Sequence, residues 1–376
     1  MNKLFIFIFT LMFPYSINAQ AVFVPNDLSY NFCITQASLD LKGNVKEIKQ
    51  TISYSDDVGQ IPQDWDENIY EEPFTQTSFQ SPQVGTCYVL DNYYYPIVSR
   101  LQQNDYFCSF NTNKSIETVI IYPRKTMGDY RYMYKYDGTG NILSVSEVGS
   151  NGKVLNTFSF VYENGLLIKK NNESQFKKKL YPTEYKYDSE RRVIEVVTNT
   201  TSKGKIKDAQ NRTYEYTQTG NELTVNSTCK SSNNKEYWTS EWKYSADMAI
   251  KSYEICLMDK KGNLKEKKKY LYGKNHQIIK LEIQKELKMS MDNLLKTMGG
   301  QASDKTNVMY NYNSNDDIIE IITTSAGKSS LQSFEYEYDD IGNWTSRKNY
   351  LNGKFHSLVT REISYRRHTS SGFTLQ

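Results

Sequence analysis

One pattern recurs along most of this chain and limits its fold more than any other feature. Two aromatic residues alternate with polar residues, a turn begins, and a Gly-Asn step leads into an apolar residue, as in residues 334–344. Alternation at period two places Tyr336 and Tyr338 on the same face of a β-strand. Asp339 and Gly342 are the first and fourth residues of the turn, where type I turns favour these residue types. The pattern therefore predicts a strand, a tight turn and another strand.

The second aromatic residue of each pair recurs at a nearly constant spacing. Seven of the eight successive intervals are 25, 26, 27, 28 or 29 residues, and the remaining one is 40. The positions are Tyr136, Tyr162, Tyr187, Tyr216, Tyr244, Tyr272, Tyr312, Tyr338 and Tyr365. A second turn sequence, such as Asn352-Gly353, falls midway through most units, and Asn-Gly supplies the positive φ of tight hairpins. We therefore predict an all-β chain of tandem antiparallel hairpins, forming a long meander or an open curled sheet.

Residues 134–142 and 336–344 resemble the YD repeat of RHS-type bacterial proteins. The likeness extends over residues 130–365, with degenerate copies in the middle. The resemblance implies a secreted wall of coiled repeats and favours carbohydrate binding. Large RHS proteins enclose a toxic C-terminal segment, but only eleven residues follow Tyr365 here, so the toxin role is not carried over. An accessory or remnant of a toxin-delivery shell is one alternative function.

The chain divides into four predicted regions. Residues 1–19 are a predicted signal peptide, with Lys3 before a ten-residue apolar run that is too short to span a bilayer. Export and no membrane span after signal removal are expected, with the mature chain periplasmic, at the cell surface or secreted. Residues 20–117 are an irregular region with a partial repeat at 40–48 and an acidic loop, residues 118–365 are the repeat array, and residues 366–376 are a tail.

One interval of the array contains an insertion with helical periodicity. Its apolar residues are Leu287, Met291, Leu294, Leu295 and Met298. This spacing places them on one face of a helix, so a short helix is predicted at 287–298.

Two groups of side chains are candidate ligand contacts. Trp65 and the run Tyr93, Tyr94 and Tyr95 offer aromatic surface that could stack on sugar rings or pack a loop onto the sheet. Lys265, Lys267 and Lys269 alternate and should share one face of a strand. These lysines could meet an anionic surface or keep a flat sheet soluble.

The five cysteines give limited predictions. Cys229 and Cys256 lie 27 residues apart, one repeat period. Equivalent positions in neighbouring units are about 9.5 Å apart, beyond the roughly 7 Å that a disulfide allows. These two should not be bonded. If the chain has a disulfide, Cys87 with Cys108 is the favoured pair, and the pairing of Cys33, Cys87 and Cys108 is otherwise open.

The formal charge of +3 is close to neutral for a chain of this length and does not indicate a nucleic-acid-binding surface. No His-x-x-x-His, Cys-x-x-Cys or Gly-x-Ser-x-Gly motif occurs, so neither metal, cofactor nor enzymatic activity is expected. The leading prediction is a binding or scaffold protein of the bacterial envelope, with a glycan or an envelope protein as ligand and no assigned oligomeric state. The other alternative is a polysaccharide-acting enzyme with its site in residues 20–117, which lost turnover on mutating Asp64, Asp66, Glu67 and Glu71 would favour.

Overall fold

The chain folds into a closed single-walled β-barrel and a small three-stranded sheet. The computed structural model describes residues 22–25, 41–55, 77–81, 85–90, 105–122, 128–174, 179–180, 182–202, 205–232, 236–247, 249–273, 277–286, 303–325 and 327–366. Every element within these ranges is a strand or a turn. They contain no helix, and hence none long and apolar enough to cross a membrane. The predicted helix at 287–298 lies outside the described residues.

The strands are numbered in chain order. They are β1 (Val22–Pro25), β2 (Val45–Tyr54), β3 (Thr77–Ser81), β4 (Gly85–Leu90), β5 (Asp105–Phe110), β6 (Ile116–Tyr122), β7 (Tyr130–Tyr136), β8 (Ile142–Val148), β9 (Val154–Glu163), β10 (Leu166–Ser174), β11 (Lys179–Leu180), β12 (Thr183–Tyr187), β13 (Val193–Ser202), β14 (Lys205–Thr219), β15 (Glu222–Ser231), β16 (Glu236–Tyr244), β17 (Ile250–Asp259), β18 (Leu264–Tyr272), β19 (Ile278–Glu286), β20 (Ser303–Tyr312), β21 (Ile318–Ser325), β22 (Lys328–Tyr338), β23 (Trp344–Leu351) and β24 (Lys354–Tyr365).

The barrel is an antiparallel meander from β5 to β24 that β2 closes. Strand β2 pairs with β24 on one side and with β5 on the other. The short strand β11 and strand β12 share one place between β10 and β13, so the wall has 20 strand positions. The small sheet has the order β1-β4-β3, with β1 parallel to β4.

The predicted long meander or open curled sheet is therefore wrong in one respect, because the sheet is closed. The array from β5 to β24 would leave two free edges, each with unpaired backbone N–H and C=O groups. Strand β2, from the N-terminal region, covers both edges. The all-β class and the antiparallel hairpins are confirmed.

A split repeat joins the two ends of the array. Tyr365 is the partner of Val45, as Tyr338 is the partner of Trp344 within a continuous unit. The N–H of Arg366 donates to the carbonyl of Asn44 at 2.9 Å, as the N–H of Asp339 donates to the carbonyl of Asn343. The C-terminal strand thus supplies the first half of a repeat and the segment before β2 supplies the second half.

We call this split repeat, at the junction of β24 and β2, the seam. The side chain of Asn343 stabilises it. Its Oδ1 accepts the N–H of Lys42 at 2.6 Å, and its Nδ2 donates to the Lys42 carbonyl at 2.9 Å and to the Tyr365 hydroxyl at 2.7 Å. The side chain of Asn343 is only 2% exposed. The seam is noncovalent, so closure of the barrel depends on these side-chain contacts together with the strand pairing.

The Asp-x-x-Gly-Asn turns have a common local chemistry. In the turn at 137–141, Asp137 Oδ1 accepts the N–H groups of Thr139 at 2.8 Å and Asn141 at 2.9 Å. Gly140 has φ of +90°, and the strand pairing shifts by one residue after the turn. This is a type I turn followed by a left-handed residue in a G1 bulge. Turns at 188–192, 259–263, 313–317 and 339–343 repeat the backbone hydrogen bonds.

Tyrosine hydroxyls tie neighbouring hairpins together. In four units, the hydroxyl of the second tyrosine of the ring pair donates to a backbone carbonyl of the preceding hairpin. The accepting residue is the first or second residue of that hairpin's returning strand. These hydrogen bonds are Tyr136 to Ile116 at 2.5 Å, Tyr187 to Leu167 at 2.7 Å, Tyr216 to Val193 at 2.7 Å and Tyr312 to Ile278 at 2.8 Å. The repeat spacing therefore reflects a contact between units as well as a fold within each unit.

The core lies on one face of the wall. Buried side chains from β2 and from strands between β5 and β21 form one continuous cluster that includes Ile48, Val145, Trp242, Tyr253 and Val308. On the convex side of a closed wall neighbouring side chains diverge and meet water, whereas the concave side brings them together. We therefore assign the buried face to the interior and call it the inner face; the other is the outer face.

Three cysteines, Cys108, Cys229 and Cys256, are free thiols. Cys108 is buried and unbonded, so the predicted bridge between Cys87 and Cys108 is absent. Cys229 and Cys256 are both free; Cys229 is the partner of Trp238 and Cys256 of Thr239, so they lie on opposite faces of the wall. The side chain of Cys87 and the whole of Cys33 lie outside the described part of the chain.

Candidate functional site

One register position of the repeat is apolar in most units and charged in two. It lies opposite the first ring of each pair, or the corresponding residue, and is buried and apolar or aromatic in seven strands. These residues are Ile48, Val119, Val145, Val196, Tyr253, Leu281 and Ile321, each no more than 5% exposed. The same position holds Lys170 in β10, Ser227 in β15 and Arg347 in β23. Because placing a guanidinium in an apolar row costs desolvation energy, Arg347 marks a candidate site.

Two arginines surround the ring of Trp344. The guanidinium carbon of Arg361 lies 3.3 Å from the centroid of the Trp344 ring, and that of Arg347 lies 5.3 Å from it. Arg347 also lies 5.5 Å from the ring centroid of Phe334. Nε of Arg361 donates to Oε1 of the buried Gln50 at 3.2 Å, across the β2–β24 pair. We call Gln50, Phe334, Trp344, Arg347 and Arg361 the arginine–tryptophan cluster.

The strand register explains why these residues meet. Arg361 is opposite Gln50, and Arg347 is opposite both Tyr336 and Val359. All of them therefore share the inner face of β22, β23, β24 and β2. The cluster lies beside the seam, and only Gln50, from β2, depends on closure of the barrel to join it.

The inner face around the cluster has no acidic side chain in the described strands. Its inner residues on β22, β23, β24, β2 and β5 alternate with outward ones according to the register, and none is Asp or Glu. The outer face of the same region pairs its charges, for example Lys49 with Glu362 at 3.4 Å. The two faces of this part of the wall therefore differ in electrostatics.

Burial affects two titratable groups beside the cluster. Burial raises the pKa of the Cys108 thiol, and the charge of Arg361 opposes this rise only in part. The thiol is thus kept protonated and is a poor nucleophile. Burial also lowers the pKa of His356, whose Nδ1 lies 3.1 Å from Oγ of Ser357.

The lysine stripe lies on the outer face of β18. Lys265 Nζ lies 2.5 Å from Glu236, and Lys267 Nζ lies 2.7 Å from Glu254. Lys269 is opposite Glu254 on one side and Glu282 on the other. The three lysines share one face, as their alternation predicts, and acidic residues of neighbouring strands surround them. Their role in ligand contact remains a prediction.

The other predicted contacts, Trp65, Tyr93, Tyr94 and Tyr95, lie outside the described residues. The same holds for the acidic residues of the enzyme alternative. Sequence reasoning did not single out the arginine–tryptophan cluster. The available signal was Arg347 at a repeat position that is apolar in most units, and it becomes visible only when the repeats are aligned by strand register.

The cluster has the chemistry of binding. Guanidinium groups offer planar hydrogen-bond donors, and the aromatic rings offer apolar surface. Within the described ranges no group of three or more His, Cys, Asp or Glu side chains could hold a metal ion. An anionic or amphipathic partner matches these groups.

Comparisons with known proteins give only distant likenesses. No family model and no curated protein matches the chain. A porin-like protein from Bacteroides vulgatus has a TM-score of 0.29 and 10% identity over 66% of this chain and 97% of its own. A porin-like protein from Bacteroides uniformis has a TM-score of 0.32 and 10% identity over 66% and 96%. The Photorhabdus luminescens Tc holotoxin pore has a TM-score of 0.14 and 10% identity, over 69% of this chain and 19% of its own.

These comparisons correct part of the sequence-based description. The YD-repeat and RHS-repeat keywords and carbohydrate binding are not supported: no family model and no curated protein matches, and the three structures named above are porin-like proteins and a toxin pore. The all-β description is confirmed by the closed antiparallel barrel.

Proposed function

We propose that this chain is an exported, non-enzymatic binding or scaffold protein of the bacterial envelope, with a protein as its ligand. The observation that carries the proposal is the arginine–tryptophan cluster on the inner face. Arg and Trp dominate the energetics of protein recognition sites. The neighbouring thiol of Cys108 is held protonated, and no acid–base pair adjoins the described part of the cluster.

Two further features support this role. Residues 1–19 have the charge and apolar pattern of a signal peptide, which supports export. The closed wall, with paired strands on both sides of every position, is a rigid frame on which a binding site can be held in one geometry.

The proposal is tested by fractionation and by capture with matched variants. The mature chain should be found with the envelope fraction and should retain a partner from envelope extract. Trp344→Ala, checked for folding by circular dichroism, should lose that partner, and Lys49→Gln on the outer face should retain it. The partner should then be purified and its affinity measured by calorimetry. A cytoplasmic location, or equal capture by all three chains, would contradict the proposal.

A further inference from the structure

We infer that the arginine–tryptophan cluster binds an oxyanion, either a carboxylate or a phosphate, carried on an apolar body. The inference rests on the proposed binding role and names the chemistry of the ligand. It starts from Arg347, whose register position is buried and apolar or aromatic in seven other strands. Those strands pack with Val, Ile, Leu or Tyr at that position, so packing alone does not call for an arginine there.

Arg361 has hydrogen-bond donors to offer. A guanidinium carries five N–H groups in one plane, and stacking on an aromatic ring uses the face of that plane, leaving its edge. Nε donates to Gln50, which fixes the orientation of the group across the β2–β24 pair. No residue in the described ranges takes a hydrogen bond from the two terminal nitrogens of Arg361. The parallel N–H groups of a guanidinium can donate to two oxygens of one carboxylate or phosphate at the same time.

The surroundings favour an anion over a neutral group. The inner face of β22, β23, β24, β2 and β5 has no Asp or Glu among its described residues, so no carboxylate of this face competes with a ligand. Arg347 adds a second positive charge, with its guanidinium carbon 5.3 Å from the ring centroid of Trp344. Partial burial lowers the local dielectric and strengthens attraction for an incoming negative charge.

The aromatic side chains indicate what carries the anion. Tyr336 and Trp344 lie 6.1 Å apart between ring centroids, and Phe334 lies on the far side of Arg347. An apolar or aromatic group bearing the oxyanion could pack on these rings, whereas a bare hydrated anion gains nothing from them.

The test is calorimetric titration of the folded mature chain with four probes. They are benzoate, phenyl phosphate, inorganic phosphate and benzyl alcohol. We expect saturable binding of benzoate, of phenyl phosphate or of both, weaker binding of inorganic phosphate, and none of benzyl alcohol. Preference for benzoate assigns a carboxylate ligand, and preference for phenyl phosphate assigns a phosphate ligand. Added salt should weaken the binding.

Three variants locate the site. Arg361→Gln should weaken binding at least about tenfold, the loss expected for a charged hydrogen bond. Arg361→Lys, which keeps the charge but not the planar fork, should fall between Arg361→Gln and the parent chain. Lys49→Gln removes one charge from the neighbouring outer face and should change binding less than about twofold.

Two results would overturn the inference. One is the absence of saturable binding of both aromatic anions to the parent chain. The other is equal weakening by Lys49→Gln and both Arg361 variants. If neither anion binds while partner capture still requires Trp344, the oxyanion assignment falls and the proposed binding role stands.

Discussion

In four units the hydroxyl of the second tyrosine contributes to stability as well as its ring. The Tyr312 hydroxyl donates to the Ile278 carbonyl, so Tyr312→Phe removes one hydrogen bond and keeps the ring packing. We expect the free energy of unfolding to fall by about 0.5–1.5 kcal/mol. Urea denaturation measures it, with Tyr122→Phe as the control because Tyr122 is 40% exposed. An equal fall in the free energy of unfolding for both variants would show that the hydrogen bond to Ile278 does not account for the loss of stability.

The fourth residue of the turn must adopt a left-handed conformation. Gly342 has φ of +89°, and an added Cβ would only reach ordinary contact with Lys42, so the backbone sets the cost of a side chain there. Gly342→Ala should destabilise the barrel by about 1–2 kcal/mol. Gly138→Ala, in an equivalent turn with open space and no positive φ, should have little effect. Thermal unfolding of the two variants checks the difference.

His356 should make stability depend on pH near neutrality. Its pKa in the fold is below the ordinary value of about 6.5 because of burial. The unfolded chain therefore binds a proton that the fold does not, and stability is lost as pH falls through 6.5 towards the folded pKa. We expect a drop in unfolding midpoint between about pH 8 and about pH 5. His356→Gln should flatten this slope, and an unchanged slope would assign it to other groups.

The turn carboxylates act in a lower pH range. Burial alone would raise the pKa of Asp339, but hydrogen bonds from Tyr365 and from turn N–H groups outweigh it and lower that pKa below 3.8. Its contribution is present above the unfolded pKa and is lost only in acid. The same pairing and burial raise the pKa of Tyr365 to about 12.

At the scale of elements, Asn343 ties the seam between β24 and β2 through its side chain. Asn343→Ala removes three hydrogen bonds to Lys42 and Tyr365. Asn263→Ala is the matched control, because the Asn263 amide bonds only within its own turn, to Asp259. We expect faster amide hydrogen exchange in β2 and β24 for Asn343→Ala alone, since strands open locally when their ties are cut. Similar exchange in both variants would show that the seam does not depend on Asn343.

At the scale of the whole molecule, closure of the barrel can be trapped covalently. Thr51 and Thr360 are partners across the β2–β24 pair although 309 residues separate them. A double cysteine variant at these positions should form a disulfide when oxidised and gain up to about 5 kcal/mol in the chain-entropy model. A pair at Thr51 and Thr217, on β2 and β14, should not cross-link. Peptide mapping by mass spectrometry identifies the disulfides that form. Absence of a disulfide between positions 51 and 360 would indicate an open sheet.

Closure also explains why the contact between Gln50 and Arg361 escaped sequence reasoning. Gln50 and Arg361 are 311 residues apart, and the repeat pattern says nothing of a contact between them. The lysine stripe was visible in the sequence because its residues alternate within one strand. Its acidic neighbours, Glu236 and Glu254, come from other strands and become visible only through the register.

The sequence by itself determined the local structure of this protein. Ring pairs at period two, Asp and Gly at fixed turn positions and a regular interval specify strands, G1-bulge turns and antiparallel order, because each depends on residues close in the chain. The tertiary structure alone decided that the sheet closes and which residues contact one another at the seam. Closure depends on pairing between β2 and both ends of an array some 260 residues long, and a period that repeats within the array cannot say whether its ends meet.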